Sequence, residues 1–100
     1  MAKAHSKLVQ DTIKHFNSLP NSHAFPYTPS PYGKRSVSDI ICCHRGHHVA
    51  IEIKIGKDTP TPLQKVHQRK IQAAQGFARV CWSMEEVKEF IEFIDKIIEQ

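Results

Sequence analysis

Three side chains near the middle of the chain have the right types and spacing to do chemistry together: Asp39, Glu52 and Lys54. Each acid stands in a run of sheet-forming residues, where a buried strand would carry an apolar side chain. Two carboxylates beside an ammonium can hold a hard divalent ion such as Mg²⁺, which takes oxygen ligands and keeps several waters. Such an ion activates a water and polarises a phosphoryl oxygen, while the lysine orients the water or offsets charge on the phosphate. The three residues therefore indicate metal-assisted attack on a phosphate ester.

A β-hairpin would bring the two acids together. Val37–Cys43 and Val49–Ile55 are rich in β-branched residues, and the HRGH sequence between them contains the glycine that a tight turn needs. A two-residue turn at Arg45 and Gly46 fixes which residues of the two strands are opposite each other. The resulting pairs are Cys43 with His48, Ile41 with Ala50, and Asp39 with Glu52.

This register sets the two carboxylates against each other, and the like charges would destabilise the hairpin unless a cation lay between them. Lys54, two residues after Glu52, projects from the same face of the strand. The alternate residues project from the other face and form the core: Ile51, Ile53 and Ile55. A three- or five-residue loop would instead place the acids on opposite faces. A plainer alternative makes Asp39 the start of an edge strand, with Glu52 and Lys54 on its solvated outer face.

The N-terminal part of the chain is predicted to be a helix followed by a proline-rich loop. Apolar residues at Val9, Ile13 and Phe16 follow helical spacing within a helix from about Ala4 to Leu19. The loop from Asn17 to Gly33 is rich in proline, and its AFPY segment is a candidate edge strand.

Two further helices and a strand are predicted after the hairpin. Thr61, Pro62 and Gln64 form a capping box with proline at the first helical position, and Gly76 is expected to end this helix in a left-handed conformation. The sequence FARVCW, residues 77–82, predicts a strand. Ser83 and Glu86 predict a second capping box at the start of the last helix. The last helix carries apolar residues that are either core or part of a dimer surface: Val87, Phe90, Ile91, Ile94 and Ile98.

These elements predict an α/β fold in the order α-β-β-β-α-β-α, a small mixed sheet flanked by helices, with the last strand reached through a helical crossover. One hundred residues make one domain, 1–100. The net charge of +4 permits a polyanionic partner, and the three cysteines, an odd count, give a poor disulfide framework. Because MAKAHSKLVQ lacks the apolar segment of a signal peptide, we expect a cytoplasmic protein.

The order SD, two strands, E-I-K and then T-P-L-Q at a helix start resembles the PD-(D/E)XK nuclease superfamily, whose fold is restriction-endonuclease-like. It is most similar to the virus-type replication-repair nuclease (VRR-NUC) branch in its compact stand-alone phage form. The resemblance runs from helix one through Gly33, Ser38-Asp39 and Gln64 to GFARVCWSMEEV. It implies a DNA repair endonuclease that uses Mg²⁺ or Mn²⁺ and cleaves branched DNA such as Holliday junctions as a homodimer. Such a protein would act in the cytoplasm of a phage-infected or lysogenic bacterial cell.

The resemblance also implies roles for individual residues. Asp39, Glu52 and the backbone carbonyl of Ile53 would bind the metal, and Lys54 would be the catalytic lysine. Gln64 matches the family's glutamine beside the site, although the capping box explains it equally well.

Helix one departs from the family pattern. Members usually have a glutamate there that helps complete the metal site, and this helix has no acid before Asp11. Gln10 matches a neighbouring position and is the candidate for a neutral, weaker ligand. Basic residues that could contact phosphate are Lys34, Arg35, Lys57, Lys65, Arg69 and Lys70.

Two other functions remain as alternatives. One is a DNA-binding module of the same fold that lacks catalysis. The presence of Asp39, Glu52 and Lys54 argues against it. The other is a zinc-binding protein that uses the residues around the turn, which are Cys42, Cys43, His44, His47 and His48. Adjacent cysteines on a strand point to opposite faces and no second cysteine pair follows, so we expect Cys43 in the core and the histidines as polar groups at the hairpin tip.

Overall fold

The structure is a computed structural model of the chain and describes residues 3–28 and 38–100. These residues form α1 (Lys3–Asn17), β1 (Ser22–Pro26), β2 (Ile40–His44), β3 (His47–Ile53), α2 (Pro62–Ala73), β4 (Phe77–Cys81) and α3 (Met84–Ile98). The strands make a mixed sheet in the order β1-β2-β3-β4, antiparallel except for the parallel pair β3 and β4 that α2 connects. The predicted element order and fold class are confirmed, including the edge strand in AFPY.

The hairpin has the predicted register. Cys43 lies opposite His48 and Ile41 opposite Ala50, and both turn residues have left-handed backbones, with φ of 53° at Arg45 and 84° at Gly46. Positive φ at both central positions is the geometry of a type I′ turn, whose twist matches that of the strands. The predicted start of the first strand at Val37 lies outside the described residues, and β2 itself begins at Ile40.

Arginine is an unfavourable residue at this turn position, and its contacts explain why it is tolerated. The Arg45 guanidinium donates to Asp95 Oδ1 at 3.1 Å and to Glu99 Oε2 at 2.9 Å, and its backbone N–H donates to the Asn21 carbonyl at 2.7 Å. These bonds tie the turn to α3 and to the loop before β1, so they offset part of the cost of the left-handed backbone.

Strand β3 is an inner strand of the sheet, and both of its faces are covered. Every residue from Val49 to Ile53 is buried, and Glu52 is only 3% exposed. One face of the strand packs with α1 and α3 in the core, whereas Ala50 and Glu52 point to the face on which Gln64 of α2 contacts the Glu52 side chain. The predicted core side of the strand is therefore confirmed, and the solvated outer face for Glu52 is wrong.

The two adjacent cysteines take the opposite places from those expected. Cys42 is buried in the core and Cys43 is exposed, because the register puts Cys42 opposite Val49 and Cys43 opposite His48. His44 is likewise not a polar group at an exposed tip. It is 2% exposed, bonded to Ser22 and to Asp95, and only His47 and His48 of the three are exposed.

The ends of α2 and α3 differ from the predicted ones. The left-handed residue after α2 is Gln75, with φ of 72°, rather than Gly76. Ser83 caps α3 by accepting from the Glu86 N–H, but Glu86 reaches back to the Trp82 N–H, so the second capping box is only half formed. The apolar stripe of α3 is core: Val87, Phe90, Ile91 and Ile94 are buried, and Ile98 packs against them. In the described part of the chain, no helix is long and apolar enough to cross a membrane.

Gly76 follows α2 at a point where the chain packs too closely for a side chain, and this packing can be tested by mutation. A Cβ there would lie 2.8 Å from Ile71 Cγ2 and 3.3 Å from the His48 carbonyl oxygen. Gly76→Ala should therefore lower the free energy of unfolding by about 1–3 kcal/mol. Urea denaturation measures this cost, and it should shrink when Ile71→Ala removes the crowding methyl group. An equal cost in both backgrounds would contradict this packing explanation.

Candidate active site

The predicted catalytic residues converge on one open cleft, of about 470 Å³, at the end of β3. It is lined by His5, Asp39, Glu52, Lys54, Ile55, Asp58 and Gln64. These residues come from α1, from the segment before β2, from β3 and the loop after it, and from the first turn of α2. The hairpin register and the crossover therefore bring together side chains that are distant in sequence.

Glu52 is the most deeply buried ionisable group in this cleft. Its Oε2 accepts from Gln64 Nε2 and lies 3.5 Å from Lys54 Nζ, but its Oε1 is buried and accepts from no donor among the described residues. Burial, and then the charge of the nearby Asp39 carboxylate and hydrogen bonding with it, raise the pKa of Glu52 from 4.5 to about 7, and Lys54 opposes this shift. A buried oxygen without a partner is costly, and a cation would remove that cost.

Gln64 performs both of the roles that the sequence left open. Its Oε1 accepts from the Thr61 N–H at 2.9 Å, which completes the capping box, while its Nε2 donates to Glu52. One amide therefore starts α2 and orients the carboxylate. The Gln64 side chain thus links the N-terminal cap of α2 to the cleft.

Asp39 and Lys54 are held by main-chain pairing that extends the sheet. Asp39 Oδ2 accepts from the Ile53 N–H at 2.8 Å, and the Asp39 carbonyl accepts from the Tyr27 N–H at 2.8 Å. The Lys54 N–H donates to the Cys81 carbonyl at 3.1 Å. Because both backbones are fixed, the two side chains enter the cleft from defined positions.

His5 is the site residue that the sequence reasoning missed. Its Nε2 lies 3.0 Å from the Ile53 carbonyl oxygen and 3.3 Å from Asp39 Oδ2, both acceptors, so it carries the proton and donates. The buried residues of α1 are Leu8, Thr12 and Phe16, and His5, three residues before Leu8, lies on the same face of the helix. That pattern was the available signal.

Gln10 occupies a different place. It lies about 140° around α1 from His5, is exposed, and lines a neighbouring groove with Asp39 but not with Glu52. The structure therefore does not bring Gln10 into the cleft. Of the residues proposed to contact phosphate, Lys57, Lys65, Arg69 and Lys70 are exposed on the loop after β3 and on α2, and Lys34 and Arg35 lie outside the described residues.

The donors of the cleft suit a hard divalent ion. Carboxylate and carbonyl oxygens are the ligands that Mg²⁺ and Mn²⁺ accept, and the unpartnered Glu52 Oε1 is an oxygen that such an ion would satisfy. In residues 3–28 and 38–100, no three His, Cys, Asp or Glu side chains already form a cluster that could hold a metal. The carboxylates are instead occupied by protein donors, which are His5, Lys54, Gln64 and the Ile53 N–H.

The turn residues do not form a zinc cluster in the described chain either. Cys42 is in the core, where burial raises the pKa of its thiol to about 11, and zinc binds the thiolate.

A comparison with solved structures finds the fold of this chain in a structure described as a "VRR_NUC domain". The two share 17% sequence identity at a TM-score of 0.75, and the match covers 91% of this chain and 97% of the other. No protein-family model and no curated protein sequence matches the chain. The chain therefore has the fold of a VRR_NUC domain, as the sequence resemblance implied.

The raised pKa of Glu52 predicts a pH-dependent stability in EDTA. A folded-state pKa of about 7 against the ordinary 4.5 means that the folded protein binds this proton more tightly, so the contribution is present below pH 4.5 and lost as the pH rises to about 7. Denaturation between pH 5 and 8 should show this loss, on the order of 2 kcal/mol, in the wild type. Glu52→Gln, which cannot titrate, should not show it. Parallel stability curves for the two proteins would contradict the prediction.

Proposed function

We propose that this protein is a metal-dependent endonuclease that hydrolyses phosphodiester bonds in DNA, with Mg²⁺ or Mn²⁺ as cofactor. The observation that carries the proposal is the convergence of Asp39, Glu52 and Lys54 in one cleft of a VRR_NUC-type fold. The partnerless Glu52 Oε1 supports it, because a structural carboxylate would normally be fully hydrogen-bonded when buried.

The roles of the chain's own residues follow from their positions. Asp39, Glu52 and the Ile53 carbonyl would hold the divalent ion, which when bound supplies an activated water and polarises the phosphate. Lys54, beside Glu52, would orient that water or offset charge on the phosphate. Gln64 keeps the Glu52 carboxylate in place through its amide.

We further propose branched DNA, such as a four-way junction, as the substrate and a homodimer as the active form, acting in the bacterial cytoplasm. Symmetric resolution of a junction needs two cleavage centres related by a two-fold axis, and one small domain offers one. The exposed lysines and arginine of α2, the helix whose first turn contributes Gln64 to the cleft, would contact the DNA backbone. A binding module without catalysis is the second candidate, and cleavage assays separate the two.

Asp39→Asn and Lys54→Ala should each lower cleavage of a labelled four-way junction about a hundredfold or more, because each removes a charge that acts on the reacting phosphate. The assay compares Mg²⁺, Mn²⁺ and EDTA on junction and linear duplex, with circular dichroism to check folding. Lys88→Ala is the matched control, since Lys88 is an exposed lysine of α3 that neither lines the cleft nor belongs to the residues proposed to contact phosphate. It should retain cleavage.

Substantial cutting by Asp39→Asn or Lys54→Ala would place the catalytic centre elsewhere. Junction binding by the wild type without cleavage in either metal would favour the non-catalytic module.

Variants at Thr61 and Gln64 distinguish the contribution of the helix cap from the contribution of Gln64 to the active site. Thr61→Ala removes the cap bond to the Gln64 N–H and should cost about 1 kcal/mol of stability while leaving cleavage unchanged. Gln64→Ala also removes the donor to Glu52 and should lower cleavage about tenfold. Turnover at saturating metal and DNA, compared with thermal melting, distinguishes these effects. Equal losses of activity in the two variants would mean that Gln64 acts only as a cap.

A further inference from the structure

The ring of His5 lies in the cleft beside oxygens that are proposed to hold the metal ion. Its Nε2 is in contact with two of the oxygens proposed to hold the ion, at 3.3 Å from Asp39 Oδ2 and 3.0 Å from the Ile53 carbonyl. The His5 side chain is 19% exposed, so it is part of the cleft wall rather than a surface group. A nitrogen is therefore already placed among the oxygen donors.

The second ring nitrogen allows the proton on Nε2 to move. In the structure the Ile53 carbonyl and Asp39 hold the proton on Nε2, whereas Nδ1 is buried without a hydrogen-bond partner among the described residues and can take the proton when a cation displaces it from Nε2. With the proton on Nδ1, the lone pair of Nε2 points at the position between Asp39 and the Ile53 carbonyl. Neutral imidazole in that state is a metal ligand.

We propose that His5 is a direct ligand of the divalent ion and makes the site selective for Mn²⁺ over Mg²⁺. The proposal rests on the proposed metal-dependent function and adds the identity of the ligand that α1 contributes. Imidazole nitrogen is a poor ligand for Mg²⁺, which prefers oxygen, but it is accepted by transition ions. One nitrogen among carboxylate and carbonyl oxygens should therefore shift the preference of the site toward Mn²⁺.

The direct test is pulsed electron paramagnetic resonance of the full-length protein with Mn²⁺ bound, without DNA. Nuclear modulation from a coordinated imidazole nitrogen should be present in the wild type and lost in His5→Gln. The matched control is His15→Gln, a histidine of the same helix that does not line the cleft. It should keep the modulation. Glu52→Gln should weaken Mn²⁺ binding, which locates the signal at this cleft rather than at the exposed histidines of the turn.

Equilibrium titration with each metal supplies a second readout. His5→Gln should lower the Mn²⁺ affinity about tenfold or more, since removal of an outer-shell partner alone costs that much, and should lower the Mg²⁺ affinity less. His5→Glu replaces the nitrogen by an oxygen donor and should narrow the preference for Mn²⁺ over Mg²⁺ about tenfold. It also places a third carboxylate beside Asp39, so circular dichroism with the metal present must show that this variant is folded.

The outcomes separate this proposal from the nuclease function. Bound Mn²⁺ without nitrogen modulation in the wild type, or modulation that persists in His5→Gln, overturns the role of His5 even if DNA is cleaved. Modulation that depends on His5 in a protein that cuts no DNA supports the ligand and overturns the nuclease.

Discussion

Two carboxyl groups, Asp39 and Glu52, share one cleft at the end of a strand that is buried on both faces. Two negative charges at this place repel each other, and burial makes the charged form of Glu52 still less favourable. Either a proton or a cation must lie there for the local structure to be stable. The raised pKa of Glu52 and its unpartnered oxygen are the two signs of this constraint.

Each neighbouring element fits that constraint. The type I′ turn, held by Asp95 and Glu99 at the end of α3, sets the register that pairs Ile40 with Ile51 and so brings the neighbouring Asp39 and Glu52 into one cleft. The first turn of α2 donates an amide to one oxygen of Glu52 and leaves the other free. The first turn of α1 places a histidine against Asp39. Because a fold alone does not determine a reaction, the chemistry proposed for this chain depends on these three contacts.

Much of this arrangement could be predicted from the sequence because local patterns determine it. The glycine of the turn, the alternation of β3 and the Thr61 capping box are short-range signals, and all three led to the observed structure. One error is corrected by the sequence pattern itself: the predicted register sets Cys42 opposite Val49, on the core side of β3 with Ile51, so Cys42 and not Cys43 is the core residue. Tertiary contacts decide the other error, because the need for Gly76 comes from a contact with Ile71 and β3 rather than from its own backbone angle.

His5 shows the same limit at the site. A histidine near the start of a helix carries no motif, and its place in the cleft depends on how α1 packs across the end of the sheet. The family resemblance favours Gln10, yet the helical rotation turns that residue to a neighbouring groove. Helical spacing separates the two residues, but only the three-dimensional packing shows which of them enters the cleft.

The most direct test of the shared cation is a crystal soaked in Mn²⁺ and measured at a wavelength where manganese scatters anomalously. We expect an anomalous peak between the carboxylates of Asp39 and Glu52, beside the Ile53 carbonyl. Fully soaked crystals with no manganese between these two carboxylates, or with manganese only at the histidines of the turn, would contradict the account.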